Sequence, residues 1–200
     1  MAPPWFTIIG TGRSGTKYMA ELMRANGLNC GHESYYSPIR MESGDQDESL
    51  DGDSSWLAVP YLEQDVPRSP TIHVTRNPVA VVKSLLEIRF FHPETEEAPF
   101  RQFLWKYSNI FQHEDPVVRA VEFWVEWNTR CKYLSDVTMP IEQLDYHVLS
   151  DLLKHQIYPQ PLSRDINHAP ESLQAGRVPD NTPNHVIVDY LRGRQKAFGY

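Results

Sequence analysis

Trp5-Phe6-Thr7-Ile8-Ile9-Gly10-Thr11-Gly12-Arg13-Ser14-Gly15-Thr16-Lys17 decides the fold. Its first five residues are β-branched or aromatic and stop at a glycine, the signature of a buried strand. Gly10 to Gly15 forms a glycine-punctuated turn. From Lys17 to Asn26, Tyr18, Met19, Leu22 and Met23 recur at helical spacing, and Gly27 supplies the stop. Strand, glycine loop and helix in that order open many nucleotide-binding α/β folds. Glycines let several backbone N–H groups converge, and the helix adds its positive N-terminal end, so the loop is read as an anion site with Arg13, Thr16 and Lys17 as extra donors.

Working outward, a second strand is expected at Leu28 to Cys30, and Ser37 to Asp53 reads as a polar, acidic surface loop carrying Asp45, Asp47, Glu48, Asp51 and Asp53. Trp56 to Leu62 reads as helical, and Thr71 to Thr75 as a second core strand running into Arg76-Asn77-Pro78. Asn77 can cap a helix and Pro78 suits its first position, which predicts a helix from Val79 to Phe90. Phe91 to Asp115 reads as a flap or a short helix. Val117 to Leu134 is a strongly amphipathic helix, with Val121, Trp124, Val125, Asn128 and Cys131 near one face. A short strand at Val137 to Ile141, a helix at Leu149 to His155, a loop-rich stretch from Pro159 and a terminal helix from Asn184 to about Lys196 complete the chain. Alternating strands and helices predict a three-layer α/β fold, a central parallel sheet flanked by helices, in one domain spanning residues 1–200.

Composition narrows the function. The 200 residues are 40% hydrophobic and 12% aromatic, enough for a packed core. A formal net charge of -7 argues against a nucleic-acid partner. No apolar run approaches the roughly 20 residues of a membrane span, and the N-terminus lacks the zones of a signal peptide. Cys30 and Cys131 have no metal-ligand spacing and read as two reduced thiols of a cytoplasmic protein.

The nearest general pattern, the P-loop G-x-x-x-x-G-K-[ST], is met by Gly10 and Gly15. Thr16, however, stands at the lysine position and Lys17 at the hydroxyl position that would hold magnesium. An ATP- and magnesium-dependent kinase is therefore the weaker alternative, beside a non-catalytic anion-binding relative.

Arg13-Ser14-Gly15-Thr16 resembles the 5′-phosphosulfate loop of sulfotransferases, whose core is [KR]-S-G-T followed by one residue and an aromatic or aliphatic, here Tyr18. Lys17 departs from the commoner threonine. The second signature of that family, an Arg at a strand end, then Asn or Asp, and a Ser eight residues after the Arg, is similar to Arg76-Asn77-Pro78 and Ser84. Asp53-Ser54-Ser55-Trp56-Leu57-Ala58, Trp124-Val125-Glu126-Trp127-Asn128, Ile141-Glu142-Gln143-Leu144 and Phe198-Gly199-Tyr200 resemble recurrent segments there.

The resemblance implies a P-loop-like fold and transfer of a sulfuryl group from 3′-phosphoadenosine 5′-phosphosulfate (PAPS) to a small-molecule, glycan or peptide acceptor. The product is then 3′,5′-adenosine bisphosphate, and no metal is required. It implies that Gly12, Arg13, Ser14, Gly15, Thr16, Lys17 and Tyr18 cradle the 5′-phosphosulfate, and that Arg76 and Ser84 hold the 3′-phosphate. Arg13 is expected at the bridging oxygen, because cations stabilise charge on a leaving phosphate. Glu33, 20 residues beyond Arg13, inherits the role of base by resemblance. His32 has the better ordinary pKa for that work, and a mere turn at Gly31-His32-Glu33 is the third possibility. Gly176-Arg177, Arg192-Gly193-Arg194, Arg164 and Asn167 are alternatives for closing the 3′-phosphate site, and Asp45–Asp53 with Phe90–Phe111 are expected to wall the acceptor.

Overall fold

The structure is a computed structural model and describes residues 3–64, 69–92, 99–162 and 182–198. They fall into two compact units, residues 1–76 with 128–168 and residues 77–127 with 169–200.

The first unit holds a five-stranded, all-parallel sheet in the order β2-β3-β1-β4-β5. The strands are β1 (Phe6–Ile9), β2 (Cys30–His32), β3 (Gly52–Ser54), β4 (Thr71–Thr75) and β5 (Val137–Pro140). Parallel strands need long crossovers, which the helices supply. Strand alternation sorts the two faces. Phe6 and Ile8 of β1 and Ile72 and Val74 of β4 join one core with Met19, Leu22 and Met23 of α1 (Thr16–Ala25) and Leu149 and Leu153 of α7 (Tyr146–Leu153). On the other face His73 of β4 meets Asn128 of α6 (Pro116–Leu134), its Nε2 2.9 Å from Asn128 Oδ1, while its Nδ1 lies 3.2 Å from Thr138 Oγ1. Burial pulls His73 down to about 4, so it is a neutral, packed residue.

The expected three-layer arrangement is therefore present, but several boundaries move. β2 starts at Cys30 rather than Leu28 and ends at His32. The acidic stretch is not one surface loop. It contains α2 (Pro38–Ser43) and the strand β3, whose Gly52, Asp53 and Ser54 are all buried between β2 and β1. Strand β3 has no apolar residue, so no hydrophobic signal marks it. What it needs instead is smallness, since a Cβ on Gly52 would lie 2.1 Å from Cζ of Phe6. A 3₁₀ turn (Trp56–Ala58) and α3 (Val59–Gln64) follow it. Helix α7 begins earlier than expected because Asp145 caps it, accepting from the N–H of His147 and Val148 at 3.0 and 3.1 Å. Lys154, left-handed at φ 49°, closes it before His155.

The second unit contains α4 (Pro78–Glu87), α5 (Pro99–Tyr107), most of α6 and α8 (Asn184–Phe198). The Asn77 side chain accepts from Ala80 N–H at 3.2 Å and Pro78 occupies the first turn, as the sequence leads one to expect. Helix α4 ends at Glu87, short of Phe90, and Arg89 lies in the left-handed region at φ 53°. The expected flap is helical in part, as α5. Phe91, Phe123 and Trp127 form its aromatic core, and the guanidiniums of Arg101 and Arg119 lie 5.2 and 5.6 Å from the Phe111 ring centre. Among the described residues no helix is long and apolar enough to cross a membrane. Cys30 and Cys131 are both free and buried.

Candidate functional site

The helix α1 connects β1 leftward to β2, whereas the chain after β4 returns on the opposite side as β5, so β1 and β4 flank a topological switch point. In open parallel sheets ligands bind beyond the carboxyl ends of the strands at such a point. Each strand end there carries a residue of interest. Gly10 to Gly15 follows β1, Glu33 follows β2, Ser55 follows β3 and Arg76 follows β4.

The glycine loop is held by its own hydroxyls. Ser14 donates both its N–H and its Oγ–H to the Thr11 carbonyl, at 3.1 and 2.7 Å. Both groups thus shape the turn rather than project from it. Gly10 cannot carry a side chain, since a Cβ would lie 2.4 Å from Ser14 Oγ and 2.5 Å from the Val74 carbonyl. Arg13 and Gly15 are both left-handed, at φ 72° and 104°, a conformation that costs a non-glycine residue roughly 1–3 kcal/mol. Helix α1 starts at Thr16 with no side chain capping it and no acid in its first turn. Among the described residues no side-chain cap and no first-turn acid thus offsets its positive end.

Around this loop, Gly12 is half-buried and Lys17 is exposed on the first turn of α1. The Thr16 hydroxyl lies 3.3 Å from His32 Nε2. Burial, and then Tyr146, raise the pKa of the Tyr18 hydroxyl. Arg76 comes back to the same loop: its Nη1 donates to the Arg13 carbonyl at 3.2 Å. Arg13 and Arg76, 63 residues apart, thus meet beyond the carboxyl ends of β1 and β4. Ser84 stands half-buried on α4 in the second unit. Of the residues considered for closing the site, Arg194 pairs with Glu122 within the second unit, and Arg192 and Gly193 are exposed on α8. Arg164, Asn167, Gly176 and Arg177 lie outside the described residues, as do Gly199 and Tyr200.

Glu33 is left-handed at φ 54°, and its side chain is only 23% exposed. Burial, and then the negative charge of Asp53, raise its carboxyl to about 7, against a hydrogen bond from Trp56 and the charge of Arg13. His32 moves the other way, down to about 4, through burial and then the cations Lys17 and Arg24. Its Nε2 lies 3.6 Å from Glu33 Oε1, but at neutral pH the imidazole is uncharged and no ion pair forms. The site thus holds a carboxyl that titrates near neutrality beside an arginine.

Three residues of β3 and its exit support this constellation, and the acidic-loop reading missed them. Asp53, fully buried, accepts from the backbone N–H groups of Ser34, Tyr35 and Tyr36, each at 3.1 Å. Ser54 Oγ donates to the Thr16 carbonyl at 2.7 Å, tying the start of α1 to the sheet. Ser55 caps the 3₁₀ turn that carries Trp56, accepting from Leu57 N–H at 3.2 Å. The run Asp53-Ser54-Ser55-Trp56 was visible only as a recurrent segment. Asp51 accepts from Asn29 N–H at 2.8 Å.

No protein-family model matches the chain, and no curated protein matches it. Among solved structures it is similar to a sulfotransferase from Alicyclobacillus acidocaldarius, at 16% identity over 96% of each chain with a TM-score of 0.46. It is likewise similar to the sulfotransferase domain of the curacin biosynthetic pathway, at 16% identity and a TM-score of 0.46, over 96% of this chain and 98% of that one.

Proposed function

We propose that this chain is a PAPS-dependent sulfotransferase acting on a hydroxyl or amine acceptor. The observation that carries the reading is the hydrogen bond from Arg76 to the Arg13 carbonyl, which unites the two anion-recognition signatures at the switch point of the sheet. A bisphosphorylated nucleotide presents two separate anionic groups, and this edge offers two separate cationic donor sets. The uncapped start of α1 and its acid-free first turn fit the 5′ group. Arg76 is assigned to the 3′-phosphate.

When bound, PAPS supplies the sulfuryl group and a phosphate leaving group, so the protein's tasks are charge stabilisation and proton removal. Arg13, Lys17 and the first N–H groups of α1 stabilise negative charge on the leaving phosphate. Glu33 removes the acceptor proton. A base is most effective when its pKa lies near the working pH, and about 7 for Glu33 meets that condition where about 4 for His32 does not. The partly exposed setting of Glu33 leaves an acceptor access to the carboxyl.

Calorimetric titration of 3′,5′-adenosine bisphosphate, ADP and ATP, with and without magnesium, tests the reading. The bisphosphate should bind without metal, and Arg76→Ala should weaken it by ~10–100-fold, the cost of one charge-assisted phosphate contact. A preference for ATP with magnesium, or no nucleotide binding, would overturn the assignment.

A further inference from the structure

Resting on the reading of Glu33 as the base, we propose that Asp53 is its positioning residue. The Asp53 carboxylate grips three consecutive backbone N–H groups just beyond Glu33 and so fixes where the Glu33 carboxyl stands. Oδ1 holds Ser34, and Oδ2 holds both Tyr35 and Tyr36. On its other side Glu33 is tied to the same strand, its N–H donating to the Ser54 carbonyl at 3.2 Å. Four bonds to β3 therefore bracket one residue in a conformation that side chains other than glycine disfavour. An ionised carboxylate has two acceptor oxygens and about four lone-pair sites, whereas an amide has one acceptor oxygen. Only an acid at position 53 holds all three N–H groups from both oxygens.

The partner strand is shaped around this carboxylate. Gly31 is paired with Asp53 in the ladder, and a Cβ there would lie 2.6 Å from Asp53 Oδ1. Asp53 also acts through its charge. The charged and titratable groups around Glu33 are Asp53 from β3, Arg13 from the glycine loop and His32 from β2, with Trp56 as a hydrogen-bond donor. Arg40 adds its charge on the Asp53 side. Burial raises the Asp53 carboxyl as well, and the three N–H donors and Arg40 oppose that rise.

The test is a carboxyl ¹³C NMR titration of the labelled protein, with Glu33 assigned by its loss in Glu33→Gln, alongside hydrogen exchange of the amides of residues 34–36. Glu33 should titrate near 7 in the native protein. In Asp53→Asn its midpoint should fall by about one pH unit or more as the neighbouring charge disappears, and the three amides should exchange ~10-fold faster or more. A folded Asp53→Asn protein with unmoved midpoint and unmoved exchange overturns the role. Should Asp53→Asn fail to fold, the native protein decides. Slow exchange at 34–36 with a Glu33 midpoint near 7 upholds the grip, and exchange as fast as in an open loop overturns it. Hydrolysis of PAPS by Glu33→Gln, with water as the acceptor, separates the two assignments. Full turnover overturns the base and Asp53's role together; lost turnover with an unmoved Asp53→Asn titration overturns only the latter.

Discussion

Replacing Glu33 by glutamine should stabilise the fold, and increasingly so as pH rises. The carboxyl's folded pKa is raised from 4.5 to about 7, by burial first and Asp53 second. Between those values the folded state binds more protons than the unfolded chain, so stability falls as pH rises through that window and levels off above it. A rise of about 2.5 pH units at ~1.4 kcal/mol each sets the full cost of ionising Glu33 at about 3 kcal/mol. The substituted amide keeps an acceptor for Trp56 but carries no charge. Urea unfolding of both proteins at pH 5 and pH 8 measures the effect. The advantage of Glu33→Gln should widen by about 2–3 kcal/mol between the two conditions, since most of the native carboxyl's titration lies between them. A gap that stays constant, or one that widens against the substituted protein, would refute the reasoning that burial and Asp53 destabilise the Glu33 anion.

Gly15→Ala places a Cβ 2.8 Å from Ile141 Cγ1 at φ 104°, and should cost ~1–3 kcal/mol by thermal or urea unfolding and weaken bisphosphate binding at the same time. Leu22→Ala empties a fully buried position between α1 and the sheet, and should cost ~2–5 kcal/mol without altering the Kd for the bisphosphate by more than its effect on the folded fraction. His32→Gln should leave most PAPS turnover intact, because a neutral imidazole pulled down to about 4 has little proton to exchange at neutral pH. A loss as large as that of Glu33→Gln would reverse their roles.

Much of this protein was legible along the chain, because local patterns carry it. The apolar run of β1, the glycines at 10 and 15, the spacing of Met19, Leu22 and Met23, and the Asn77-Pro78 cap each act within a few residues of themselves. Short-range sterics and periodic burial determine such elements, so a linear reading finds them. The signatures at Arg13 and at Arg76 could also be matched as patterns, though not the contact between these two residues.

Tertiary structure alone decided the rest. Strand β3 is Gly-Asp-Ser, with no apolar period to betray it, and lies between β2 and β1 where Phe6 leaves no room for a side chain at position 52. Asp53 reads as one acid in an acidic stretch until the sheet buries it against three N–H groups. The pKa order of His32 and Glu33 likewise could not be read from residue type, since ordinary values place His32 higher. Desolvation and neighbouring charge invert that order, lowering one and raising the other. Both effects depend on groups distant in sequence and adjacent only once the chain has folded, which is why the sequence named the residues and the fold assigned their protons.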